Sequence, residues 1–238
     1  MNKVSSGIQG LDDILGGGFP SGRVILLTGG PGTGKTLMSL QFLMMAAERG
    51  ESGVYLTLEE PLRLVRENVK FYNWGMDSKE KEGRLKLMDF SDISYLDESP
   101  GRKNDRNSDV IEFLVEKASH VVDEIGAKNL VIDPITSITV QENRAGKKRS
   151  IIASLFKELR DIGCTSLLTS ETTTSRDFTM EEFLADGVIQ LEKCIHNFNL
   201  INVIRIEKMR GVFYNDQPKR YTINENGFNV LSTEPINV

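Results

Sequence analysis

The sequence predicts an α/β fold, a mostly parallel twisted sheet flanked by helices with an antiparallel C-terminal extension. Three observations predict it. From residue 24 to residue 170, short apolar runs alternate with amphipathic stretches, the pattern of a parallel sheet covered on both faces. A glycine-rich octapeptide, Gly29-Gly30-Pro31-Gly32-Thr33-Gly34-Lys35-Thr36, joins the first of these strands to its helix. Beyond Asp186 the apolar runs follow one another with no helical stretch between them, as antiparallel strands do.

The elements follow in order. Residues 24–28 make an unbroken apolar run, read as a buried strand, and residues 37–49 a helix without breakers. Residues 53–58 form the next strand. Pro61 opens a helix at its favoured first position and the helix runs to about Phe71. Residues 85–89 are a further candidate strand. In 109–124, Val110, Phe113, Leu114, Lys117, Val121 and Val122 recur mostly at helical spacing. Residues 130–133 are a core strand, and 147–162 a helix with Ile151, Ile152, Leu155, Phe156 and Leu159 as its stripe. Residues 165–170 are the last strand of the alternating part; 188–192, 200–207 and 221–223 predict the extension. The polar, aperiodic stretch 97–108 predicts a mobile surface loop. No internal repeat is present, so residues 1–238 are expected to form one unit.

Composition narrows the classes. The 39% hydrophobic content supports a sizeable core, and the net charge of −5 supplies no global pull toward nucleic acid or anionic membrane. No apolar run reaches the length of a membrane span, and the N-terminus carries no apolar signal region. A cytoplasmic location is expected. Cys164 and Cys194 stand outside any metal-ligand spacing and are expected to be reduced core thiols.

The octapeptide fits G-x-x-x-x-G-K-[ST], the phosphate-cradling loop, and its strand-before, helix-after context is the one that motif requires. Backbone N–H groups there point at phosphate oxygens, and the helix dipole favours an anion. The expected nucleotide contacts are Gly30, Pro31, Gly32, Thr33, Gly34, Lys35, Thr36 and Leu37. Lys35 would reach the β- and γ-phosphates, and the Thr36 hydroxyl would bind Mg²⁺. Leu130-Val131-Ile132-Asp133 is a strand ending in a carboxylate, the Walker B pattern, so Asp133 is the second support for Mg²⁺. Glu59 and Glu60 follow a strand end, where open α/β sheets place their ligands. Either could orient and deprotonate an attacking water. Thr169, Ser170 and Glu171 end another strand, where a hydroxyl either reaches the water or γ-phosphate or caps the strand.

Together these residues resemble the RecA-like ATPases, and specifically the KaiC-like family. The run from Ser6 to Gly22, SGIQGLDDILGGGFPSG, is similar to that family's TGIxGLDxxLGGGxPxG lead-in. Glu59-Glu60 matches its paired glutamates, Leu168-Thr169-Ser170-Glu171 its LxTSE strand, and Ile206-Glu207-Lys208-Met209-Arg210-Gly211 its xxKxRG segment. The resemblance runs from about Val4 to Gly211. It implies a RecA-like P-loop NTPase fold, binding and hydrolysis of ATP with Mg²⁺, and a homo-oligomeric ring, a hexamer, with nucleotide between subunits. It also implies that Lys208 and Arg210 reach the ATP of the neighbouring protomer, as an arginine finger does. KaiC itself has two fused ATPase halves and this chain has one. Thr172-Thr173-Thr174-Ser175 cannot be matched to KaiC's phosphorylated Ser-Thr pair, so autokinase activity is not carried over.

The competing class is the RadA/RecA recombinases and ring helicases, which bind DNA. Residues 171–186 carry five acids, Glu171, Asp177, Glu181, Glu182 and Asp186, against Arg176, a balance of −4 that suits phosphate gripping poorly. Arg144, Lys147, Lys148 and Arg149 form a basic cluster at a helix N-terminus, against the dipole. Nucleic acid, a subunit contact or a nucleotide phosphate could use it. The acidic composition favours a nucleotide-gated regulatory assembly over a DNA motor.

Overall fold

The structure is a computed structural model and describes residues 2–92, 106–139, 144–172, 179–196 and 198–234. Its main sheet has nine strands. In chain order these include β3 (Val24–Gly29), β4 (Gly53–Thr57), β5 (Leu85–Asp89), β6 (Asn129–Asp133), β7 (Thr165–Glu171), β8 (Gly187–His196), β9 (Asn199–Met209), β10 (Lys219–Asn224) and β11 (Gly227–Val230). Spatially they run β11-β10-β9-β8-β3-β7-β6-β4-β5. The six from β8 to β5 are parallel, and β9, β10 and β11 are antiparallel to their neighbours.

The period of two in a strand divides the core. Ile25, Leu27, Tyr55, Val131, Leu167, Ile189 and Leu191 face one hydrophobic cluster. Val24, Leu26, Val54, Leu56, Leu130, Ile132, Leu168 and Val188 face the other. The first cluster is closed by α2 (Lys35–Glu48) and α3 (Leu62–Val69), the second by α5 (Arg106–Ile125) and α7 (Ala145–Ile162). All five residues of the expected α7 stripe are buried. In α5 the buried face is Ile111, Leu114, Ala118, Val121 and Val122; Lys117 instead lies over the Phe113 ring at 5.4 Å. The helix begins at Arg106, so the last three residues of the expected 97–108 loop are its first turn, and 97–105 lies outside the described residues.

Pro61 sits one position earlier than expected, capping α3 rather than opening it, because its ψ of 138° is extended. Cys164 is buried, but Cys194 is only partly so, because β8 runs past the end of β3 into solvent. β1 (Lys3–Val4), β2 (Phe19–Pro20), α1 (Leu11–Ile14), α4 (Met76–Lys81), α6 (Thr136–Thr139), α8 (Met180–Leu184) and β11 were not expected from periodicity. All are too short, or too polar, to carry one.

Two of these additions explain features of the sequence. α2 is buried nearly all round, and β11 packs against it in addition to the parallel strands. Gln41 of α2 satisfies both backbone groups of Phe228 in β11: Nε2 donates to the carbonyl at 3.1 Å and Oε1 accepts the N–H at 2.7 Å. In the lead-in, Gly10 caps α1 with φ 74°, and a Cβ there would stand 2.0 Å from the Val230 carbonyl oxygen of β11. Both backbone strain and a clash with main chain oppose a side chain. Gly10→Ala is therefore expected to cost about 3 kcal/mol, read as a lowered midpoint in denaturant unfolding.

Candidate functional site

The site lies at the C-terminal end of β3. The chain leaves the strand at Gly29, turns through Gly32 (φ 70°) and Gly34 (φ 93°), and enters α2 at Lys35. Those left-handed dihedrals are glycine conformations. Met38 N makes the first helical hydrogen bond, to Gly34 O at 2.9 Å, and no side chain caps the helix. The N–H groups of Lys35, Thr36 and Leu37 thus precede the helical ladder, as at any uncapped helix N-terminus. No acid stands in the first turn. Thr33 is pinned from both sides: its hydroxyl donates to Gly30 O at 2.8 Å, and its carbonyl accepts from the Tyr221 hydroxyl at 2.7 Å.

Lys35 is 8% exposed. Its ammonium donates to the Gly29 and Gly30 carbonyls at 2.8 and 3.0 Å. Burial pushes its pKa down; the negative charges of Glu171, Asp133 and Glu59 oppose that. The structure therefore brings three acids around one lysine, from three different strand ends.

Asp133 ends β6 on the same face as Val131, the α2 face. It is 6% exposed and accepts from two hydroxyls: Tyr55 at 2.7 Å on Oδ2, and Thr169 on Oδ1. Burial first, then Asp133, holds the Tyr55 phenol well above its ordinary range, so it remains a donor. Thr169 is thereby an Asp133 partner rather than a group facing a γ-phosphate. Sequence reasoning missed both partners. Tyr55 sits 78 residues away from Asp133 in a strand that reads as apolar.

Glu59 and Glu60 diverge. The Glu60 carboxylate accepts from Asn68 of α3 at 2.8 Å, and its carbonyl accepts from Thr57. Glu59 is exposed, accepts from Ser137 of α6 at 3.3 Å, and acts on the Lys35 charge.

Lys208 and Arg210 are elsewhere. Lys208 pairs with Val188, and Arg210 N donates to Asp186 O, whose own N–H donates to Val24 O. Arg210 is therefore level with the start of β3, about 16 Å along the strand direction from Gly29 at ~3.3 Å per residue. Both side chains lie on the last carbonyls of α8. Lys208 Nζ donates to Glu182 O at 2.6 Å, and Arg210 to Phe183 O at 3.4 Å. Burial, then the Arg210 charge, lowers the Lys208 pKa. Of the basic cluster, Lys148 is taken by the buried Glu181 of α8 at 3.1 Å. Thr173, Thr174 and Ser175 of the threonine-serine run lie outside the described residues.

A parallel sheet with its phosphate-loop-like turn at one strand end, extended by antiparallel strands, is the RecA-like ATPase-domain fold. The comparisons agree. The sequence model described as ATPase: KaiC matches residues 4–235. The chain is 33% identical to a UPF0273 protein of Thermotoga maritima over 238 residues, 98% of each chain. It is 30% identical to the circadian clock oscillator protein KaiC of Synechococcus elongatus over 234 residues, 96% of this chain but 44% of KaiC. The crystal structure of KaiC-like protein PH0186 from Pyrococcus horikoshii superposes with a TM-score of 0.82 at 35% identity, covering 96% of this chain and 98% of that one. The chain belongs to the KaiC-like ATPase family. Among the described residues no helix is long and apolar enough to cross a membrane.

Proposed function

We propose that the chain is one ATPase unit that binds ATP with Mg²⁺ and hydrolyses it slowly at interfaces between its own copies in a closed ring, six by family resemblance. The observation that carries this is the uncapped start of α2 behind a turn of left-handed glycines, with Lys35 held inside it. That is an anion site of the polyphosphate type.

The donor set fits a hard cation: the Thr36 hydroxyl in the first helical turn and the Asp133 carboxylate, oriented by Tyr55 and Thr169. Held by Thr36 and Asp133, Mg²⁺ would supply positive charge against the polyphosphate. The loop N–H groups and Lys35 hold the β- and γ-phosphates. Glu59 orients the attacking water and accepts its proton, because it is the exposed carboxylate of the pair that faces the Lys35 charge. Lys208 and Arg210 lie too far from their own loop to serve it, which supports delivery to a neighbour's γ-phosphate. There a cation stabilises charge that develops in the transition state. Nucleotide would then set assembly as well as turnover.

Steady-state hydrolysis tests the reading. Turnover is expected with Mg²⁺, lost on chelation, lost in Lys35→Ala, and unchanged by single-stranded DNA. Strong stimulation by DNA would replace it with a recombinase- or helicase-like motor gripping through residues 144–149.

A further inference from the structure

β8 outruns β3. Gly29, the last residue of β3, pairs with Leu191, while β8 continues to His196 beside β9. Ile189 and Leu191 face the α2 cluster, and the alternation puts Lys193 on that same face, one step beyond the strand end. There the side chain reaches over the phosphate loop. Its ammonium stands 3.3 Å from where a Cβ of Gly32 would be. Residue 32 is a free position in the loop motif, and glycine there leaves the space under the ammonium clear.

Lys193 is exposed and makes no hydrogen bond or ion pair among the described residues. Lys35, by contrast, is turned into the loop and bonded to its carbonyls. A cation held over a phosphate loop without a protein anion among the described residues is free to pair with a bound phosphate. We infer that Lys193 is a second nucleotide-binding cation, supplied by the same chain and engaging the polyphosphate from the β8 side. The inference rests on the phosphate-loop reading proposed above. It places Lys193 in ground-state binding, not in the chemistry.

Titration calorimetry with ATP and with ADP, at low and moderate salt, tests it. Lys193→Gln is expected to weaken both nucleotides about tenfold, the order of one charge-assisted hydrogen bond, and to flatten the salt dependence of the affinity. Lys193→Arg is expected to bind within about threefold of the parent. Because the residue is exposed on a strand that pairs through its backbone, the fold should be retained, checked by unchanged unfolding midpoints. Raised KM with unchanged kcat in Lys193→Gln would agree. Parent-like affinity and salt dependence in Lys193→Gln would overturn the inference alone. Failure of the parent protein to bind ATP would overturn the phosphate-loop reading and the inference together.

Discussion

Glu59→Gln should lower kcat for ATP hydrolysis by about 10³-fold, the usual worth of a positioned general base, while leaving ATP affinity nearly unchanged. Glu60→Gln should lower it less than about tenfold. The adjacent carboxylates have different anchors. Glu60 is tied to Asn68 in α3, and its main-chain carbonyl to Thr57. Glu59 shares the surroundings of Lys35 with Asp133 and Glu171, and on the proposed reading Lys35 holds the γ-phosphate. A carboxylamide keeps the size of the side chain but cannot accept the proton. Retained nucleotide binding with lost turnover in Glu59→Gln alone would place the base at Glu59. Equal losses in both variants would mean that the pair acts as a unit, and a larger loss in Glu60→Gln would reverse the assignment.

Arg210→Ala should reduce turnover by about 10³-fold or more, as loss of an arginine finger does. Mixing it with Glu59→Gln should restore activity that neither variant has alone. A head-to-tail ring joins two different surfaces at every interface. Some interfaces in the mixture would pair Glu59 of one protomer with Arg210 of the other, and random mixing makes these roughly a quarter of the total. The expectation follows from register: Arg210 stands beside the start of β3, at the opposite end from Gly29. Absence of recovery with assembly intact would refute shared sites. The contacts of Lys208 and Arg210 with the α8 carbonyls also mean that single-protomer stability is a needed control, since both residues complement the helix C-terminus.

The legible parts of the molecule were those written over short stretches of chain. The strands at 85–89 and 165–170, the α7 stripe and the phosphate loop each depend on neighbours within a few residues, so period and composition expose them. β11 and α8 escaped because they hold their place by partners elsewhere: Phe228 through Gln41, and α8 through Lys148, Lys208 and Arg210. The reading of Thr169 illustrates the same limit. Its position at a strand end was legible, but whether its hydroxyl looks toward solvent or toward Asp133 depends on how β7 and β6 pair.

By itself, then, the sequence determined that a glycine loop ending in a lysine would join strand to helix, and that a carboxylate would end a nearby strand. Those are consequences of backbone geometry and local order. Only the tertiary structure decided which of two adjacent glutamates faces Lys35, what orients Asp133, that Lys193 overhangs Gly32, and that Arg210 lies far from its own loop. Each depends on sheet register or on packing between distant segments, and a shift of a single residue in a strand would turn its side chains to the other face.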